Sequence, residues 1–324
     1  MDDVLKKPLP AQPRLIFMGT PDFALSTLDR LIQSGHRVEA VVTQPDRPKG
    51  RGKKITSPPV KQLAGEHGID VLQPEKISDP QFFDRIRQYT PDLMIVVAFG
   101  QILKKNLLDT PGWGVINIHG SLLPKYRGAA PIQQAILHNE SETGLTVMRM
   151  NEGLDTGPIL LQEKVSILRD ETAGQLHDRL AQLAGDLMIT CLDMMTKNPI
   201  EEIPQDDCQA TYAPKIEKHM TRIDWTLPAP AVSALIRALD PAPGAFTTWN
   251  GKNIKLFTAS VVDESGPGTV PGRVRGLREN ALHVEAGQGV LSLKEIHYPG
   301  KKKLAVSDFL RGLPIPEGTI FGRE

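Results

Sequence analysis

Three side chains in this sequence have the right chemistry to act together on a polarised carbonyl: Asn117, His119 and Asp155. Asn117 and His119 flank Ile118 in the run GVINIH at 114–119. If that run is a strand, residues i and i+2 leave the same face, so the carboxamide and the imidazole point together while Ile118 points away. Both groups can donate hydrogen bonds to an oxygen that gains negative charge. Asp155 stands between glycines in NEGLDTGP at 151–158. A carboxylate close to an imidazole selects its tautomer and favours its charged form. On spacing alone two plainer alternatives stay open. The strand-end pair can be satisfied by neighbouring loops, and a turn aspartate can bond its own backbone.

Two further segments carry chemistry. GSLLPKYRGAAP at 120–131 is punctuated by glycine and proline and leads into a helix, so it can shape a pocket rim or offer a helix N-terminus to an anion. It can equally be a connector, with Lys125 and Arg127 simply solvated. QPDRPKGRGKK at 44–54 places Arg47, Lys49, Arg51, Lys53 and Lys54 within eight residues. Its prolines and glycines are expected to keep it out of helix and sheet. Such a cationic loop is suited to a phosphate backbone, the plain alternative being a solvated face. There is no G-x-G-x-x-G, no G-x-x-x-x-G-K-[ST], no H-E-x-x-H, no C-x-x-C and no G-x-S-x-G. Standard phosphate cradles, zinc motifs and a serine nucleophile elbow are therefore not expected.

The elements that must position these groups follow from hydrophobic periodicity. RLIFM at 14–18 reads as a buried strand, followed by a helix with Thr20 as its cap and Pro21 at its first position. Gly35 ends that helix, and VEAVVT at 38–43 is the next strand. Helices at 59–67 and 80–88, strands at 71–72, 92–98, 114–119, 143–150 and 158–164, and helices at 130–138 and 172–197 continue the alternation. This is the pattern of a doubly wound, mostly parallel α/β domain. Periodicity disappears over 198–215. Beyond it, a helix at 229–238 and short turn-separated strands predict a small antiparallel barrel or sandwich.

Composition sets the outer limits. At ~100–200 residues per domain, 324 residues imply two domains. Lysine plus arginine equals aspartate plus glutamate, 38 each, but residues 1–209 carry 23 basic and 27 acidic side chains and residues 210–324 carry 15 and 11. The carboxy-terminal part is therefore mildly basic, which favours a polyanionic partner. The longest strongly apolar run, Leu93–Phe99, is far short of the ~20 residues of a membrane span. The first 13 residues lack the apolar stretch of a secretory signal and read as a flexible tail. Two cysteines, Cys191 and Cys208, give neither a disulfide framework nor metal-ligand spacing, which fits a reducing cytoplasm.

Several runs closely resemble the signature of the methionyl-tRNA formyltransferases: NIHGSLLPKYRGAAPI at 117–132, FMGTPDFA at 17–24, TQPDRPKGRGKK at 43–54, VVAFGQIL at 96–103 and MNEGLDTGPIL at 150–160. YAPKIEK at 212–218 and RIDW at 222–225 are similar to that family's linker region. The resemblance spans residues 14–324. The Asn-x-His…Asp set is shared by folate-dependent formyltransferases in general; the basic loop and the carboxy-terminal domain point to the tRNA branch.

The resemblance implies a Rossmann-like catalytic domain over 14–200, a linker over 201–217 and an OB-like tRNA-contacting β-barrel over 218–324. It implies transfer of the formyl group of 10-formyltetrahydrofolate to the α-amine of methionyl-initiator tRNA, without a metal. Asn117, His119 and Asp155 would be catalytic. Ser121, Leu122, Leu123 and Pro124, with Ala98, Phe99, Gly100, Ile102 and Leu103, would border the folate. Arg47, Lys49, Arg51, Lys53 and Lys54 would meet the tRNA acceptor stem, with Arg51 at the loop tip. A monomer in the cytoplasm is the expectation. Ala242 in DPAPGAF departs from the family, where relatives often carry tryptophan. The same catalytic set would also serve a formyltransferase for another amine, such as a nucleotide or amino sugar, or a formyltetrahydrofolate hydrolase. Arg51→Ala is expected to weaken use of charged tRNA and lower the salt slope of its binding by about 1, while a small formyl acceptor reacts as before. Rates with both acceptors at two salt concentrations test this; equal loss for both would make the loop structural.

Overall fold

Leu15–Gly19 and Leu93–Val97 are buried at every position. Strands of that kind need cover on both faces, which a parallel sheet with crossover helices supplies. The computed structural model describes residues 7–49, 54–267 and 270–323. In chain order the elements are β1 (Leu15–Gly19), α1 (Asp22–Gln33), β2 (Val38–Val42), β3 (Arg47–Lys49), β4 (Lys54–Thr56), α2 (Pro59–Glu66), β5 (Asp70–Leu72), α3 (Pro80–Gln88), β6 (Leu93–Val97) and α4 (Lys105–Leu108). There follow β7 (Val115–His119), β8 (Arg127–Gly128), α5 (Pro131–Leu137), β9 (Glu142–Arg149), β10 (Ile159–Ser166) and α6 (Ala173–Lys197). The remainder holds β11 (Tyr212–Ala213), α7 (Ala229–Ala238), β12 (Ala245–Trp249), β13 (Lys252–Pro267), β14 (Val274–Arg278), β15 (Ala281–Glu285), β16 (Gln288–His297), β17 (Lys303–Ala305) and α8 (Val306–Gly312).

Two compact units result. One comprises residues up to 128 with 144–165 and 177–212; the other comprises 129–143, 166–176 and 213 onward. The first unit is built on a seven-stranded sheet of order β10-β9-β7-β6-β1-β2-β5. Strands β1, β2, β5, β6 and β7 pair in parallel, while β7 and β9 are antiparallel. Ile16, Met18, Val42, Phe82, Ile86 and Met94 belong to one of its core clusters. Gly19 admits a close helix–strand approach: a Cβ there would lie 2.6 Å from the Ala24 Cβ.

Two local expectations are corrected. Helix α1 starts one residue late, with Pro21 still extended, and Thr20 caps nothing; its hydroxyl accepts the Gln44 N–H at 3.3 Å. The amino-terminal segment is anchored from Lys7 on. Leu9 is buried and donates its N–H to the Met195 carbonyl at 2.8 Å, and the Trp113 indole N–H reaches the Lys7 carbonyl at 3.2 Å. A single leucine with a sheltered hole is enough to seat a segment that has no periodicity of its own.

The second unit contains an antiparallel sheet of order β12-β13-β16-β15-β14, with β17 beside β16. Its core joins Val232 and Ile236 of α7 to Leu256, Leu293, Ile296, Trp249 and Phe309. Ala242 is exposed in the turn between α7 and β12. Glu285 is fully buried, and its carboxylate accepts from Arg273 and Arg275 at 2.8 Å each and from the Val270 N–H at 3.0 Å. Removing one partner of a buried charge cluster strands the others. Both guanidinium side chains are 37% exposed, so solvent shares that loss. Glu285→Ala is therefore expected to cost about 3 kcal/mol, the low end for a buried pair, read as a shift of the urea midpoint.

Candidate active site

Strand β7 ends at His119, at the carboxyl edge of the parallel strands where open α/β sheets take ligands. Its register is set on both sides. Asn117 stands beside Val96 of β6 and opposite Met148 of β9, and His119 is opposite Thr146. Asn117 and His119 therefore share one face, and they are only 8% and 7% exposed. Among the described residues nothing hydrogen-bonds the Asn117 carboxamide or the His119 Nδ1. Buried polar groups are ordinarily paired, so two open ones on one face mark a place built for an outside partner.

The other ring nitrogen is committed. His119 Nε2 lies 2.9 Å from the Tyr126 carbonyl oxygen. A carbonyl only accepts, so Nε2 carries the hydrogen. The loop that presents that carbonyl is tied down by Thr211, whose hydroxyl accepts the Tyr126 N–H at 2.8 Å, and, at its start, by Thr146 on β9. The Thr146 hydroxyl donates to the Ser121 carbonyl at 2.7 Å and accepts the Leu123 N–H at 3.1 Å and the Gln162 carboxamide at 2.9 Å. The Ser121 hydroxyl closes the loop onto the Lys125 carbonyl at 2.6 Å.

Asp155 approaches from the segment between β9 and β10. Asn151 Oδ1 accepts the Gly153 N–H at 3.0 Å and the Thr156 hydroxyl at 2.8 Å, folding the turn. Only glycine fits at 157, because a Cβ would sit 1.7 Å from the Arg149 carbonyl oxygen. One carboxylate oxygen of Asp155 accepts the Gly128 N–H at 2.8 Å and lies 3.7 Å from His119 Nδ1. That separation is an electrostatic contact, not a hydrogen bond, and leaves the Nδ1 position open to a substrate.

The remaining sequence-predicted residues divide. Ala98, Gly100 and Ile102 follow β6 at the same carboxyl edge and are exposed, Ile102 at 80%. Phe99 and Leu103 are instead core residues of the sheet, and Leu123 packs with Met148 and Ile159. Ser121 is buried, and Leu122 and Pro124 are half-buried. For Arg127 the solvated alternative that the sequence left open does not hold. The residue is 2% exposed and donates to Gln205 at 2.8 and 3.0 Å and to Asp207 at 2.8 Å. Nothing in its glycine-rich surroundings marks it as buried. Gln205 lies in the aperiodic stretch and gives no sequence signal.

The basic segment forms a hairpin, contrary to expectation. Arg47, Pro48 and Lys49 pair antiparallel with Thr56, Ile55 and Lys54. Proline is tolerated at sheet edges, and a two-stranded ribbon consists only of edges. Arg47 is exposed, whereas Arg51 and Lys53 lie outside the described residues, as do the side chains of Lys49 and Lys54. Asp46 anchors the base of the hairpin. It accepts from Gln73 and Lys61 at 2.8 Å and from Ser57 at 3.1 Å. The Gln73 hydrogen bond, then the Lys61 ammonium, holds its carboxyl below the ordinary range. Among the described residues no cluster of histidine, cysteine or carboxylates suits a metal, and no helix is long and apolar enough to cross a membrane.

Comparison with known proteins is consistent with this arrangement. Residues 13–192 match the formyl transferase family, and residues 215–314 match the formyl transferase C-terminal domain. The methionyl-tRNA formyltransferase of Syntrophus aciditrophicus is 47% identical over 312 residues, covering 96% of this chain and 100% of that protein. Among solved structures, an N-formyltransferase from Helicobacter canadensis, in complex with folinic acid and dTDP-3-aminofucose, has a TM-score of 0.66 at 18% identity, covering 87% of this chain and 98% of that one. HypX from Aquifex aeolicus, in complex with tetrahydrofolic acid, has a TM-score of 0.65 at 19% identity; 93% of this chain aligns with 47% of that longer protein. At such identities the likeness to the two structures is one of fold.

Acid should loosen the Asp46 anchor. The folded carboxyl titrates below the ~3.9 of an unfolded aspartate, so its stabilisation is complete above that value and is lost as pH falls through the lower, folded one. Urea midpoints of the wild type are expected to fall as pH drops below ~4, and Asp46→Asn to flatten that limb.

Proposed function

The chain belongs to the methionyl-tRNA formyltransferase family, and we propose that it uses Asn117, His119 and Asp155 to move the formyl group of 10-formyltetrahydrofolate onto the α-amine of methionyl-initiator tRNA. The observation that carries the residue roles is the pair of unpartnered, buried polar groups on one face of β7, the Asn117 carboxamide and the His119 Nδ1. Both fit a formyl oxygen, which needs donors and gains charge during transfer.

The reaction forms a bond from the amine nitrogen to the formyl carbon and breaks the bond from that carbon to the folate nitrogen. One proton passes from the amine to the departing nitrogen. A free α-amine titrates at ~7.7–8.0, and an adjacent ester withdraws electrons, so the aminoacyl amine is largely neutral near pH 7 and attacks without a strong base. The larger demand is the oxyanion. Asn117 meets it with an amide N–H. His119 has committed its Nε2–H to Tyr126, so a second donation comes from Nδ1 and requires the doubly protonated ring. Asp155, 3.7 Å from Nδ1, compensates that charge and is placed to assist the proton transfer through a water.

The exposed residues Ala98, Gly100 and Ile102, with the Ser121–Pro124 loop, form the border we assign to the folate. The hairpin that begins at Arg47 is assigned to the acceptor stem of the tRNA, where its cations meet phosphates.

Asn117→Ala, His119→Ala and Asp155→Asn are each expected to lower kcat by about 10²–10³-fold, roughly 3–4 kcal/mol, with unchanged circular dichroism. Transfer of isotope-labelled formyl to charged initiator tRNA measures it. Near-normal transfer by His119→Ala removes the mechanism. Faster transfer to an amino-sugar nucleotide, or formate release without an acceptor, would shift the substrate assignment.

A further inference from the structure

We propose that Gln205 is a positioning residue that acts on the reaction through Asp155. The inference rests on the catalytic reading of Asp155 given above. Gln205 lies between residues 192 and 215, a stretch that neither family match covers.

The Gln205 carboxamide is saturated. Its Nε2 donates to the carbonyl oxygens of Asp155 at 2.8 Å and Gly157 at 2.7 Å. Its Oε1 accepts from Arg127 Nε at 3.0 Å and Nη2 at 2.8 Å. Two N–H donors and two lone pairs are the whole capacity of a primary amide. The two carbonyls that it grips are that of Asp155 itself and that of the residue two further on, in the turn where Asp155 adopts φ +53°, a left-handed conformation uncommon for a residue with a side chain. Such a conformation persists when the surroundings over-determine it.

Arg127 explains why an amide, and not a water, does the gripping. The guanidinium is buried, and its one carboxylate partner among the described residues, Asp207, has an 82% exposed side chain. Solvent screens that pair. The Gln205 oxygen therefore takes two charge-assisted bonds, which polarise the amide and strengthen its N–H donors. The residue after Arg127, Gly128, holds the Asp155 carboxylate by its backbone N–H at 2.8 Å. One two-residue segment thus fixes the Asp155 side chain directly and its backbone through Gln205. The carboxylate is set 3.7 Å from His119 Nδ1 by both. Loss of the backbone grip lets the turn relax and the carboxylate drift, and displacement of about 1 Å at a catalytic group costs on the order of 100-fold.

The test is a double-mutant cycle on the full chain, with single-turnover transfer of labelled formyl to charged initiator tRNA. Gln205→Glu keeps length and the bonds from Arg127 but has no N–H for the two carbonyls. It is expected to lower kcat by about 10- to 100-fold, with KM for both substrates within about 2-fold and the melting temperature near that of the wild type. In an Asp155→Asn background the same change is expected to lower the residual rate by less than about 2-fold, because it acts through the group already removed. Gln205→Asn, whose shorter amide cannot reach both sides, is the second variant and is expected to behave the same way. Wild-type kcat in either folded variant overturns the proposal, as does an equal loss with and without the Asp155 carboxylate. If Asp155→Asn itself transfers normally, the catalytic reading fails first and the two failures are told apart.

Discussion

An imidazole has two nitrogens, and in this chain one of them is spoken for. The hydrogen bond from His119 Nε2 to the Tyr126 carbonyl fixes the ring plane and leaves Nδ1 as the group that faces Asp155 and any substrate oxygen. A ring that was free to turn could exchange its nitrogens, and the adjacent Asn117 amide would then have no constant companion. The Thr146 hydroxyl, the Gln162 amide and the Ser121–Lys125 contact all act on the loop that presents that carbonyl. Their common effect is to make the ring orientation a property of the sheet, since both Thr146 and Gln162 stand on its strands.

The two units meet different physical demands. In the first, polar side chains near the strand ends are either left open or hydrogen-bonded on several sides. Asn117 represents the first condition and Thr146 the second. In the second unit, the most deeply buried charge is Glu285, which bonds arginines of the neighbouring strand β14 and the segment leading into it. It holds strands together and points at no open face. Buried charge that is paired in this way organises structure.

Sequence periodicity disclosed the sheet because its central strands β1, β6 and β7 are buried along their whole length. Leu93–Val97 is apolar without interruption, and the strand falls where that run lies. The helix at Ala229–Ala238 was legible to the residue, because a proline precedes it and its apolar positions recur at helical spacing. The same-face relation of Asn117 and His119 follows from the two-residue period alone. What was hidden depends on contacts distant in sequence. Arg127 looks like any cation in a glycine-rich loop, and the oxygen that accepts two of its N–H groups once it is buried belongs to Gln205, 78 positions away. The Asp46 anchor likewise draws on Lys61 of α2 and on Gln73, just past β5. The hairpin was missed for another reason: proline and glycine exclude a strand from the middle of a sheet but not from a free ribbon.

Both residues that face the His119 ring nitrogens adopt left-handed backbone, Tyr126 at φ +62° and Asp155 at φ +53°. Glycine would occupy either position without the ~1–2 kcal/mol that a side chain costs there. At 155, however, glycine would also give up the carboxylate that accepts the Gly128 N–H, so relief of the backbone is set against a lost hydrogen bond. A search for heat-tolerant descendants that monitors folding alone therefore has little to gain from glycine there, because the two effects are of similar size, about 1–3 kcal/mol each.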